Sequence, residues 1–268
     1  MKILDLDMDY FMKCDVHIGS DSSIERLPED DYGEEVWTEQ KVRAFLEENL
    51  GLSKTKKIPG RIVTGHNEAL YFWQELVSQG KLKTPFDVVH VDTHADLGLG
   101  YASWAYICKE LLEYPVGERH LHATYEFCGK EQKEGIGDYL LFAIAYRMIS
   151  SLTYCGNPNK ECNDYVWYTL KDFEEEYVFA GGDPVRNVIQ LLSTKRKFPD
   201  CNASKAERRR FIDSCVKEPE VPFLIIPRIE DVQYKGDFDF AVMAQSPNYT
   251  PASADFIMDV FKEYIEEI

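Results

Sequence analysis

Residues 86–98 read FDVVHVDTHADLG, an apolar run that ends in alternating carboxylates and an imidazole. The run VVHV, residues 88–91, lacks the polar alternation of a half-solvated strand. It therefore reads as a strand buried on both faces, as in a parallel sheet covered by helices. Asp92, His94 and Asp96 form a D-x-H-x-D run at its end, with two carboxylates and an imidazole on one side of the chain. In open α/β sheets the carboxyl ends of the strands are where ligands bind. These donors suit a divalent metal, and one carboxylate can bridge two ions. Taken alone, the run also fits a hydrogen-bonded turn in which Asp92 caps and His94 packs.

The chain opens on a related pattern. MKILDLDMDYF places Asp5, Asp7 and Asp9 two residues apart on an otherwise apolar strand spanning 2–7, so all three should project to one side. Like charges that close repel, and each is costly to bury unpaired. Two acidic clusters at the ends of apolar strands need cations if the fold unites them; otherwise Asp5 points to solvent while Asp7 and Asp9 cap turns. A third piece is TGHNEAL, residues 64–70, where a strand stops and a helix starts. His66 there offers another imidazole, and Glu68 sits where an acid also favours the helix dipole. Mostly carboxylate donors with one or two imidazoles suit manganese better than zinc or copper. The expectation is two divalent cations, with manganese as the metal.

The remaining chain fits one α/β domain over 1–268, a mostly parallel sheet flanked by helices. TEQKVRAFLEENLGL (38–52) reads as a helix capped by Thr38 and ended by Gly51, and a second helix is expected from Asn67 to Ser78. Helical periodicity returns around 101–113, in DYLLFAIAYRMISSL (138–152), in DPVRNVIQLLSTK (183–195) and from Thr250 to the C-terminus. YVWYTL (165–170), VPFLIIP (221–227) and FDFAVMAQSP (238–247) read as strands. A loop rich in Asp, Ser, Pro and Gly is expected through Asp31, and the basic stretch 195–210 reads as a solvated loop and helix face.

A net charge of -17 argues against a general nucleic-acid binder and against attachment to anionic membrane. No run approaches the roughly eighteen apolar residues of a membrane span, and no apolar signal stretch follows Met1. Seven cysteines are scattered without zinc or redox spacing, and Cys155 and Cys162 in CGNPNKEC have a gap that fits a loop disulfide or nothing. Reduced thiols and a cytoplasmic location are expected. Oligomeric state is not legible.

As a set, these residues resemble the ureohydrolase family of arginases and agmatinases, most closely its divergent branch of peptide arginases. The resemblance rests on the opening D-x-D-x-D-Y-F, on H-x-E-A-L followed by Trp73, and on the core [HV]-x-D-x-H-x-D-L, which begins at His90 here. Softer landmarks are Gly137-Asp138-Tyr139-Leu140 and the late stretch Ser246 to Pro251. It implies a three-layer arginase-like fold with a binuclear manganese site held by His66, Asp92, His94, Asp96 and a D-x-D pair. Asp92 would bridge the ions, and Asp92, His94 and Asp96 would hold the nucleophilic hydroxide through them. The pair maps to Asp7 and Asp9, which leaves Asp5 as the spare carboxylate behind the ligands, or to Asp5 and Asp7 if the register slides by two.

The chain departs from that family in two ways. The D-x-D comes first rather than late, so connectivity is altered or permuted. Where arginases carry a guanidinium-binding glutamate before the last helix, MAQSPNYT offers Ala244 and Gln245. Guanidinium recognition must come from elsewhere, with Glu68, Asp138 and Asp239 as candidates. The reaction implied is hydrolysis of the guanidinium of arginine, within a peptide or a small guanidino substrate, to ornithine and urea. His120 and His122 are the spare histidines for protonating the leaving nitrogen. Another metal-dependent C–N or amide hydrolase, and a catalytically silent metal protein binding basic peptides, stay open.

Overall fold

In β1 (Lys2–Asp7), Leu4 and Leu6 point to one face and Ile3, Asp5 and Asp7 to the other, and all but Lys2 are buried. A strand buried on both faces needs a covering layer on each side. The computed structural model, which describes residues 1–13, 26, 28, 29, 32 and 35–268, has both layers. After β1 come β2 (Ile58–Val63), β3 (Phe86–Asp92), β4 (Tyr125–Phe127), β5 (Lys130–Gln132) and β6 (Ile149–Gly156). They are followed by β7 (Val185–Ile189), β8 (Leu192–Ser193), β9 (Val216–Lys217), β10 (Val221–Ile226), β11 (Phe240–Ala244) and β12 (Ile265–Glu267). Eight of these form one sheet in the order β12-β2-β11-β1-β3-β6-β10-β7, parallel except for β7. The pairs β4-β5 and β8-β9 stand apart.

The helices are α1 (Glu39–Ala44), α2 (Glu68–Ser78), α3 (Ser103–Lys109), α4 (Tyr139–Ala145), α5 (Lys205–Ile212) and α6 (Phe256–Lys262). α2, α3 and α4 cover the face that carries Ile3, Phe86, Val88 and Val242, with Trp73, Tyr139 and Phe142 as their largest buried contributions. α1 and α6 cover the opposite face, where Leu4, Leu6, Val89, Val91 and Met243 pack with Val42, Phe45 and Phe261. The result is the expected three-layer α/β arrangement. Each fully buried side chain of this size is worth roughly 1.5–3 kcal/mol, so both interfaces are substantial. No helix among the described residues is long and apolar enough to cross a membrane.

Several elements differ from the sequence expectation. DPVRNVIQLLSTK is not a helix: Val185–Ile189 pairs antiparallel with β10, and Leu192–Ser193 pairs with β9. Its apolar spacing fits both periods, and β-branched Val185, Val188 and Ile189 decide for the strand. In 138–152 the helix stops at Ala145, Arg147 takes a left-handed φ of 56°, and β6 begins at Ile149. The C-terminal helix covers only Phe256–Lys262, and Ile265–Glu267 turns into an edge strand beside β2. Thr250 does not cap it; its hydroxyl donates to the carbonyls of Gln245 and Ser246. YVWYTL is mostly a 3-10 turn, Trp167–Thr169. Thr38 does cap α1, and Gly51 does end its continuation, with φ at 70°. The basic stretch carries α5, begun by a capping box from Ser204 and Glu207, with Lys205, Arg209 and Arg210 exposed. Cys155 and Cys162 are buried free thiols. Most of the loop expected through Asp31, and Cys14, lie outside the described residues.

Candidate metal centre

β1 and β3 are neighbours at the centre of the sheet, yet β1 leads to β2 on one side and β3 to β6 on the other. The carboxyl ends of such a strand pair open a crevice where α/β folds bind ligands. The register sets Asp5 beside His90 and Leu6 beside Val91, which brings Asp7 and Asp92 level at the mouth. On the other flank Asp7 pairs with Ala244 of β11. His66, from the turn after β2, comes within 3.1 Å of the Asp7 carboxylate across this strand.

His66 is 1% exposed. Its Nδ1 lies 3.1 Å from Asp7 Oδ2, 2.9 Å from Asp92 Oδ2 and 3.1 Å from Asp96 Oδ2. Despite this crowding, Nδ1 has no partner in hydrogen-bonding geometry. A second group forms beside it: His94 Nδ1 is 3.0 Å from Asp9 Oδ2 and 3.8 Å from Asp92 Oδ1. Of the four groupings of possible metal donors among the described residues, Asp7-His66-Asp92 and Asp9-Asp92-His94 share Asp92 and line the cavity, while Asp5-His66-His90 and His90-Asp92-Asp96 draw on Asp5 and His90, which do not line it. Asp96 lies against the first through His66. The six residues expected as ligands thus meet at one point. Orphaned imidazole nitrogen among converging carboxylates fits a metal pair chemically.

The turn-capping roles weighed from sequence are also present, on the second oxygens of Asp7 and Asp9 and on the Asp92 oxygen that faces His94. Asp7 Oδ1 accepts from the Asp9 N–H at 3.1 Å, and Asp92 Oδ1 from the His94 N–H at 2.8 Å. Asp9 Oδ1 accepts from the Thr93 N–H at 3.2 Å, and Ser246 donates its hydroxyl to Asp7 Oδ2. Asn157, just past β6, donates to the Tyr10 and Met12 carbonyls and to Thr93 Oγ1, so it ties the two acidic segments together. Asp96 and Ser246 both adopt left-handed backbone, with φ of 50° and 46°. For non-glycine residues that conformation costs about 1–2 kcal/mol each, and such strain concentrates at functional sites.

Asp5 is different. It is fully buried and does not line the cavity; its Oδ1 faces His66 Nε2 at 3.2 Å, and its Oδ2 meets His90 Nδ1 at 3.0 Å and the Tyr139 hydroxyl at 2.5 Å. His90 Nε2 in turn lies 3.0 Å from the His94 carbonyl. Asp5 therefore stands behind His66, fixing the ring so that Nδ1 points at the cluster. Replacing Asp5 by asparagine is expected to weaken manganese affinity roughly 10–100-fold, the usual effect of losing an outer-shell partner. Calorimetric titration measures it, and an unchanged affinity would deny Asp5 this role.

Electrostatics shows how unfavourable the cluster is without cations. Burial, then repulsion from Asp9, Asp96 and Asp7, pushes the Asp92 carboxyl well above its usual range. Burial and Asp9 raise Asp7. Burial would also raise Asp5 and Asp9, but His66 and His90 beside the first, and His94 beside the second, hold both below it. Burial opposes charge on His66, and the carboxylates of Asp5 and Asp7 overcome it and raise its value well above normal.

The cavity above the cluster holds about 420 Å³ and is walled by Leu99, Tyr101, Ile136, Gly137, Lys160, Asp164, Ser246 and Tyr249. A Cβ on Gly137 would come within 2.6 Å of the Tyr101 ring, so only glycine lets that wall close. None of the three expected substrate carboxylates lines it. Glu68 accepts from the Thr64 and Gly65 N–H groups and serves its own turn. Asp138 is buried behind Gly137 and accepts from the Gly135 N–H at 2.7 Å. Asp239 is exposed at the opposite end of the strands, paired with the Lys2 N–H. His120 and His122 lie on the 3-10 segment Val116–His122, outside the cavity wall. Sequence reading missed His90, hidden in an apolar run although it shares a face with Asp92, and it missed Lys160 and Asp164, which no local spacing marks. No family model, curated protein or solved structure compared with this chain matches it.

Proposed function

We propose that the chain is a binuclear metal-dependent hydrolase that cleaves the guanidinium of arginine in a peptide to ornithine and urea, or that of a small guanidino compound to its amine and urea. The observation that carries the metal-dependent part is His66 Nδ1, buried without a hydrogen-bond partner among three carboxylate oxygens. The guanidinium part is supported by the match of the donor set to the ureohydrolase pattern and by the acidic floor of the cavity.

Asp7, His66, Asp92 and Asp96 would hold one ion and Asp9, Asp92 and His94 the other. Two divalent ions, manganese by the oxygen-rich donor set, would supply an activated water near neutral pH. The protein's own residues do the rest. Thr93 and Ser246 fix the Asp9 and Asp7 carboxylates. Tyr101 and Tyr249 narrow the cavity above them, Tyr249 with its ring 5.1 Å from that of His94. The proton for the leaving amine comes from a cavity group or solvent, since His120 and His122 do not line the cavity.

Incubation with manganese and arginine-containing peptides should release urea and convert arginine to ornithine, read by urea assay and mass spectrometry. Two bound manganese ions with no urea from any guanidine would sink the reading. The silent, peptide-binding alternative, favoured by Ala244 and Gln245 at the family's glutamate position, would then stand.

A further inference from the structure

Among the described residues five carboxylates line the cavity, and Asp7, Asp9, Asp92 and Asp96 among them belong to the metal cluster. The fifth is Asp164. Its Oδ2 accepts from the Ala95 N–H at 3.1 Å, the backbone position between His94 and Asp96. Its Oδ1 is buried and has no hydrogen-bond partner among the described residues. Tyr165 forms backbone bridges to Leu97 and Gly98, so the Asp164 segment is clamped to the loop that carries the metal ligands. Burial raises the Asp164 carboxyl, a cost that a bound cation would offset. Among the described residues Asp164 is paired with Lys160, whose Nζ lies 3.7 Å from Oδ2 on a side chain 23% exposed at the cavity wall.

We propose that Asp164 is the anion that receives the cationic end of the substrate, and that Lys160 is the resident cation this group displaces. The proposal rests on the hydrolase reading and names the specificity residue that reading lacks, because Glu68, Asp138 and Asp239 do not face the cavity. A guanidinium is planar, permanently charged and matched to a carboxylate through paired N–H donors. With one lone pair of Oδ2 committed to Ala95 and Oδ1 buried, the rest of Oδ2, on a side chain 19% exposed, is what remains for that contact. A purely structural Asp164 would need only an oxygen acceptor for the Ala95 N–H, and asparagine supplies one. The substitution Asp164→Asn therefore separates charge recognition from loop support.

The experiment is calorimetric binding of N-acetyl-arginine amide and of its neutral ureido counterpart, N-acetyl-citrulline amide, to the manganese-loaded chain. The parent chain should prefer arginine by roughly 10–100-fold, the worth of a charge-assisted hydrogen bond in a desolvated site. Asp164→Asn should abolish that preference while keeping two manganese ions per chain. Lys160→Met should tighten arginine binding and leave citrulline binding unchanged. Three results would overturn the proposal: an undiminished preference in Asp164→Asn, loss of manganese from that variant, or no preference in the parent chain. Urea release by the parent chain tests the hydrolase reading separately, so failure of one is distinguishable from failure of the other.

Discussion

Asp92→Asn is expected to abolish binuclear loading and to make the metal-free chain more stable. Asp92 is common to both donor sets and is the carboxyl raised by burial and by three neighbouring aspartates. The amide keeps Oδ1 as acceptor for the His94 N–H and removes the charge that Asp7, Asp9 and Asp96 repel. Relief of one buried, repelled charge is worth on the order of 1–3 kcal/mol, the scale of a strong single-site effect. Losing the shared ligand should cost more in manganese affinity than the roughly 10–100-fold typical of an outer-shell change. Activity on any guanidine should disappear with it. If Asp92 only capped its turn, asparagine would leave metal content and melting temperature alone. Opposite changes in loading and in metal-free stability are therefore the signature of a charge kept for a ligand; elemental analysis and calorimetry of the chelator-treated variant read them.

How far this site was legible depends on where each residue's partner lies. Asp7, Asp9, His66, Asp92, His94 and Asp96 could be picked out because each ends or follows an apolar strand, and period-two spacing shows which side chains share a face. That Asp5 is the spare carboxylate could be read from the spacing, but its partners needed the register. Only once Asp5 lies beside His90, under Tyr139, does it become a buttress rather than a ligand. His90 has the same difficulty in reverse, since in VVHV it looks like part of a buried strand, which it also is. Asp164 sits in irregular chain between β6 and β7 and acquires meaning only through the Ala95 N–H. The misread elements share one cause. Val185 to Leu192 satisfies both periods, and Ile265–Glu267 becomes a strand because β2 offers an edge there. Tertiary pairing chose between local preferences that were nearly balanced.

The metal-free chain should lose stability as pH rises from 5 to 8, and manganese should reverse or flatten that trend. Burial raises the carboxyls of Asp7, Asp92 and Asp164, and it pushes Asp138 up to about 7. A carboxyl raised on folding binds its proton more tightly in the folded chain. Its contribution is complete below the unfolded value near 4 and is lost as pH climbs through the folded value. For Asp138 that window runs from about 4 to about 7. A three-unit shift corresponds to about 4 kcal/mol at most. His66 moves the same way: its raised value stabilises fully below about 6.5 and is lost above it. Asp5 and Asp9 are held low, so their contributions are already in place above about pH 4 and stay constant across the range. Manganese binds the ionised carboxylates and neutral imidazole, so its affinity grows over the same interval. At 100 times its dissociation constant each ion adds about 2.7 kcal/mol. Melting curves from pH 5 to 8, with chelator and with manganese, should therefore diverge with increasing pH. Parallel curves would mean that the raised carboxyls and the metal do not share a site. Asp138 lies outside the donor sets, so Asp138→Asn should flatten the metal-free profile without closing the gap between the two curves.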